Sequence, residues 1–152
     1  MCIRDRQLSE QLSPDPKANP DAVQRARAMA ATNLRNTAKL YAAGARLGLG
    51  TDTGGVSGGQ FFGLGSHVEL ELFVTKVGLT PMQALVIGTR TSAENLGLTD
   101  LGTLAAGKSA DFIVLDANPL DDIANTRRIN RVYLRGEEIP RAALAAKWNA
   151  KG

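Results

Sequence analysis

Before residue 100 only one stretch has the pattern of a β-strand, ARLGLGTD at 45–52, and helical patterns flank it on both sides. A strand in that position is not self-sufficient, because its backbone N–H and C=O groups need a neighbour alongside. Upstream, Asn19 or Asp21 can cap a helix whose apolar positions Val23, Ala26, Ala30, Leu34 and Tyr41 recur at helical spacing until Gly44 ends it. Downstream of the glycine-rich TGGVSGGQFFGLGS, a helix is expected over 67–77, closed by Gly78. Thr80-Pro81-Met82-Gln83 starts the next one, with a capping-box Gln and proline at the first helical position. Met82, Leu85, Val86 and Thr89 form its expected inner face, and Thr91 with Glu94 reads as a second capping box.

The character then changes. ADFIVLD reads as a strand ending at Asn118-Pro119, RINRVYLRGEEI alternates and turns near Gly136, and 141–151 reads as an amphipathic helix burying Leu144 and Trp148. This order is that of the last helix–strand–helix units of a larger α/β fold joined to part of a small β structure. One βα unit cannot close a parallel sheet, and a (β/α)8 TIM barrel takes about 250 residues. The chain, at 152 residues, has room only for the C-terminal end of one, and the reading is a fold incomplete on its own. Residues 1–18 are expected to be an unstructured start, whose first six, MCIRDR, resemble translated adapter sequence. Residues 19–100 are assigned to the barrel part, 101–140 to the β segment and 141–152 to a C-terminal helix or tail.

Composition narrows the function. With 43% hydrophobic and 22% charged residues the chain has a core to bury, and no apolar run reaches the roughly 18–20 residues of a membrane span. Net charge is only +3, and the basic cluster Arg127, Arg128, Arg131 and Arg135 carries just Tyr133 among it, so it reads as a solvated strand face rather than a nucleic-acid footprint. One cysteine, Cys2, and one histidine, His67, exclude an intramolecular disulfide, a cysteine cluster and a self-contained multi-histidine metal site.

GTLAAGKS at 102–109 spells a phosphate-binding P-loop, but that motif needs a strand before it and a helix after it. Here a helix exit precedes it and a strand follows, so Gly102 and Gly107 read as turn residues. Asp52, at the tip of the 45–52 segment, admits three readings. Asp52-Thr53-Gly54 is the aspartic-protease triplet, although Gly50-Thr51 precedes it where bulky apolar residues are expected. Asp52 can instead cap a turn. Thirdly, at the C-terminal tip of a barrel strand a carboxylate can ligate a metal and take a proton from the water which that metal activates.

Three segments in succession, LGLGTDTGG, HVELELFVTKVGLTPMQAL and TSAENLGLTDLGTLAAGKSADFIVLDANPLDDI, resemble the C-terminal part of the metal-dependent amidohydrolase superfamily, especially its imidazolonepropionase-like and prolidase-like members. The resemblance implies that the chain holds the end of a TIM barrel and part of a small β-sandwich composite domain, with Gly102, Gly107, Lys108 and Asp111 in structural roles. It implies that Asp52 is the strand-eight aspartate, a metal ligand that shuttles protons from water to the leaving group. His67, at the head of the following helix, either touches substrate or caps and packs, and Gly54–Ser66 with Phe61 and Phe62 would rim the pocket. The implied parent is a hydrolase of an amide, a cyclic amide or a dipeptide. It would use a divalent metal, zinc by preference, with a small-molecule substrate, no nucleic acid or membrane partner, a cytoplasmic setting favoured and a homo-oligomeric state allowed. The remaining metal ligands of that family have no counterparts here, so the chain alone is expected to be inactive. The alternative is a non-catalytic small domain in which Asp52 caps a turn and the β region binds a partner.

Overall fold

The computed structural model describes residues 20–51 and 63–149. Helix α1 (Pro20–Ala42) leads into an extended segment at 45–51. Helix α2 (Leu64–Leu72) runs on through a π-helical turn, Phe73–Val77, and stops at Gly78. Helix α3 (Pro81–Val86) passes through a second π turn, Ile87–Thr91, into α4 (Ser92–Asn95). Then come β1 (Phe112–Leu115), a 3-10 turn (Ile123–Arg127), β2 (Ile129–Leu134), β3 (Glu137–Glu138) and α5 (Arg141–Asn149). The strands form one antiparallel sheet in the order β1-β2-β3, and the mixture of helices and sheet is an α/β architecture.

Local chemistry accounts for the firmest boundaries. At the start of α3 the Thr80 hydroxyl accepts from the Gln83 N–H at 3.2 Å while the Gln83 side-chain oxygen accepts from the Thr80 N–H at 2.8 Å, with Pro81 where no N–H is needed. The β2–β3 hairpin turns on Arg135 (φ 53°) and Gly136 (φ 82°), two successive left-handed residues as a type I′ turn demands. Arg135 is strained there, and the Asp111 carboxylate accepts its N–H at 2.6 Å, which gives Asp111 a structural role.

Four expectations are corrected. Helix α2 begins at Leu64 rather than 67, behind Gly63 at φ 83° with no side-chain cap to mark it. Thr91 starts no helix: it is helical itself and caps nothing, because α3 continues through the π turn. The inner face of α3 is Ala84 and Ile87, with Leu85 and Val86 half-buried, whereas Met82 is 53% exposed and Thr89 is also outward. Leu144 is exposed on α5, and the Trp148 side chain lies outside the described residues.

The core gathers Leu70, Phe73, Leu79, Ala84, Ile87 and Ile123, with Tyr41, Leu47 and Leu49 packed on it. Ile123 comes from beyond β1, so the turn after the first strand is part of the helical core. Along 45–51 burial alternates, Ala45, Leu47, Leu49 and Thr51 half-buried and Arg46, Gly48 and Gly50 exposed, which is the period of a strand. Yet among the described residues this segment joins no strand ladder. Most of α1 is exposed, including Met29 at 64% and Leu40.

The GTLAAGKS stretch forms turns. Ser109 N–H donates to the Asp100 carbonyl at 2.9 Å, Lys108 N–H to that of Ala105 at 3.2 Å, and β1 follows instead of a helix. No helix N-terminus is offered to a phosphate. Gly102 (φ 84°) lies so close to the α3–α4 rod that a Cβ would sit 2.7 Å from the Ala93 Cβ and 2.9 Å from the Thr89 carbonyl oxygen, whereas a Cβ on Gly107 (φ 81°) would meet nothing. Gly107→Ala is therefore expected to cost about 1 kcal/mol from backbone strain alone, and Gly102→Ala about 3 kcal/mol because the loop must also lift off the helix. Urea midpoints of the two variants measure the difference.

Candidate active site

The residues around the end of the 45–51 segment are held by helix side chains. Leu49 N–H donates to the Ser92 hydroxyl at 2.9 Å, and Ser92 donates in turn to the Ile87 carbonyl at 2.7 Å. Gly50 N–H points between the two oxygens of Glu69, at 3.1 and 3.2 Å. Side chains on α2 and α4 thus take the place that a neighbouring strand's carbonyls hold in a sheet. The Arg46–Glu94 ion pair adds an exposed, weak tie to α4. Asp52, the residue expected to carry the chemistry, and the loop with Phe61 and Phe62 lie outside the described residues.

His67 is described. It stands on the first turn of α2, four residues before Glu71, so the two side chains share one helix face. Both reach the 3-10 turn. His67 Nδ1 lies 3.0 Å from the Thr126 hydroxyl, which donates to the Ile123 carbonyl at 2.9 Å. Glu71 Oε1 lies 2.7 Å from Arg127 Nε, and both atoms are sealed from solvent. Thr126 is only 2% exposed. Burial, and then the nearby Arg127 cation, hold the His67 imidazole below its ordinary pKa, so the neutral ring is favoured.

Structure and sequence diverge here in an instructive way. Arg127 does not belong to a solvated basic face: it turns inward to Glu71, while Arg128, Arg131 and Arg135 are exposed. Thr126, Glu71 and Glu69 were not singled out by sequence. Glu71 had a signal, the i,i+4 spacing from His67. Thr126, 59 residues away from His67, had none. No group of three or more His, Cys, Asp or Glu among the described residues is close enough to hold a metal ion, so these residues alone do not fit one. Nor is any described helix long and apolar enough to cross a membrane.

A family model described as the amidohydrolase family matches residues 6–139. An imidazolonepropionase from Deinococcus deserti is 41% identical over 88 residues, covering 58% of this chain and 21% of that protein. The structure of Aspergillus niger ochratoxinase matches with a TM-score of 0.64 at 28% identity, over 78% of this chain and 27% of that one. A Xaa-Pro dipeptidase, solved with methionine in its active site, matches with a TM-score of 0.65 at 25% identity, over 87% of this chain and 31% of that one. The chain spans less than a third of each of these proteins.

The His67 environment sets a pH dependence. The folded pKa lies below the unfolded value near 6.5, so the stability that the neutral ring contributes is fully present above about pH 6.5 and is lost as pH falls toward the lowered folded value. Thermal midpoints followed downward from pH 8 are expected to drop more steeply below that point in the wild type than in His67→Gln.

Proposed function

Because the chain belongs to the amidohydrolase family, we propose that it is the C-terminal portion of a hydrolase that cleaves a carbon–nitrogen bond of a small molecule, an amide, a cyclic amide or a dipeptide. The observation that carries this reading is the succession LGLGTDTGG, HVELELFVTKVGLTPMQAL and TSAENLGLTDLGTLAAGKSADFIVL within a family match that spans most of the chain. Imidazolonepropionase, ochratoxinase and Xaa-Pro dipeptidase are the names of similar proteins; the substrate class proposed is wide enough to include their kinds of bond.

In this reading the helices of the chain pack outside the last barrel strand, residues 45–51, and the sheet belongs to a composite β domain. The alternating burial of 45–51 and the exposed faces of α1 support it, since both suit surfaces that neighbouring barrel elements would cover. A divalent metal, zinc by preference, would supply an activated water once ligands from the rest of the protein complete its shell. Asp52 would be this chain's contribution to holding the metal, and its carboxylate would take a proton from water and return it to the leaving nitrogen. The backbone leading to Asp52 is fastened two and three residues earlier, at Gly50 and Leu49. His67 contacts the substrate.

Two outcomes are expected. The chain by itself shows no zinc-dependent hydrolysis of amide, imide or dipeptide substrates above a denatured control. In the full-length hydrolase, Asp52→Asn lowers kcat by about 10^3-fold or more at unchanged Tm. Loss of Tm with activity retained per folded molecule would instead assign Asp52 to a turn cap and return the non-catalytic reading.

A further inference from the structure

We infer that Thr126 is a positioning residue that locks His67 in its neutral Nδ1–H tautomer, so that the ring meets the substrate only as a hydrogen-bond acceptor, through Nε2. Proton counting fixes the tautomer. A threonine hydroxyl carries one proton and can donate once. Two contacts compete for it: the Ile123 carbonyl at 2.9 Å and His67 Nδ1 at 3.0 Å. If the hydroxyl donated to Nδ1, its oxygen would face the Ile123 carbonyl oxygen at hydrogen-bond distance with no proton between them. A residue only 2% exposed has no water to repair that contact. One assignment satisfies both: Nδ1–H donates to Thr126, and Thr126 donates to Ile123. Nε2 then carries the lone pair.

The surroundings keep the ring in that state. Protonation would make both nitrogens donors, and the charge it adds is opposed by burial and by Arg127, the cation held beside it. Glu71, the acidic group on the same face of α2, is occupied by Arg127 at 2.7 Å and so does not draw a second proton onto the imidazole. Among the described residues nothing hydrogen-bonds to Nε2. The consequence for recognition, which rests on the reading of His67 as a substrate contact, is a chemical class. An N–H or O–H donor of the substrate suits this ring, whereas a carboxylate or a carbonyl oxygen does not.

The single histidine of the chain makes the test direct, because the imidazole signals need no assignment. Long-range 1H–15N correlation on the 15N-labelled chain at pH 8 is expected to show a protonated Nδ1 and an unprotonated Nε2. Thr126→Ser keeps that pattern, and Thr126→Val shifts it toward the Nε2–H form. A wild-type ring protonated on Nε2 overturns the proposal, as does a folded Thr126→Val chain with an unchanged spectrum. If Thr126→Val does not fold, the wild-type and Thr126→Ser spectra decide. In the full-length hydrolase, N-methylating the substrate amide is expected to raise KM about tenfold with Thr126 or T126S and by less than about threefold in T126V. An equal penalty in all three removes the recognition step. Absence of any hydrolysis alongside the expected spectra would instead count against the proposed function and leave the tautomer assignment standing.

Discussion

Two side chains one helical turn apart tie helix α2 to the turn between the first two strands. His67 and Glu71 of α2 take hold of consecutive residues, Thr126 and Arg127, of the turn between β1 and β2. The same turn delivers Ile123 into the core beside Leu70 and Phe73. Apolar burial supplies most of the free energy at such a seam. The polar pairs help fix its register, because the buried Glu71 Oε1 and Arg127 Nε face each other at 2.7 Å and a shift of the turn would leave each without a counter-charge.

The extended segment at 45–51 shows what happens to strand chemistry away from a sheet. Its side chains alternate as in a strand, but the N–H groups of Leu49 and Gly50 are satisfied by Ser92 and Glu69. Glu69 and Ser92 lie on different helices, so the position of the backbone just ahead of Asp52 depends on how α2 and the α3–α4 rod pack against each other. That packing runs through Leu70, Ala84 and Ile87. Core packing and the position of the backbone at Leu49 and Gly50 are therefore linked through Ser92 and Glu69.

Much of this was legible in the sequence wherever a local rule was sufficient. The Thr80–Gln83 box, the strand before Asn118-Pro119 and the hairpin near Gly136 are each decided within a few residues, and each formed as expected. The family and its α/β class were legible too, from motifs in succession. Local rules failed where tertiary context decides. Thr91 has the composition of a cap but sits inside a continuing helix, and Met82 has an apolar side chain but faces outward. Arg127 looked like its exposed neighbours until Glu71 claimed it. The partnership of His67 with Thr126 spans too much chain for any periodicity to reveal, and Asp52 lies outside the described residues, so its proposed role rests on its motif.

The π turn at Ile87–Thr91 gives the α3–α4 rod one residue more than a regular helix of the same length would hold. The Ser92 backbone N–H donates to the Ile87 carbonyl five residues back, which is the signature of that extra residue. Each helical residue turns the chain by about 100°. A π turn rotates the chain less per residue, so its five residues cover about the rotation of four in a regular helix, and Ser92 still faces Leu49 with the extra residue in place. The middle of the rod is thus the place where a one-residue change in length is absorbed, whereas the same change in the regular turns on either side would rotate everything that follows by about 100°.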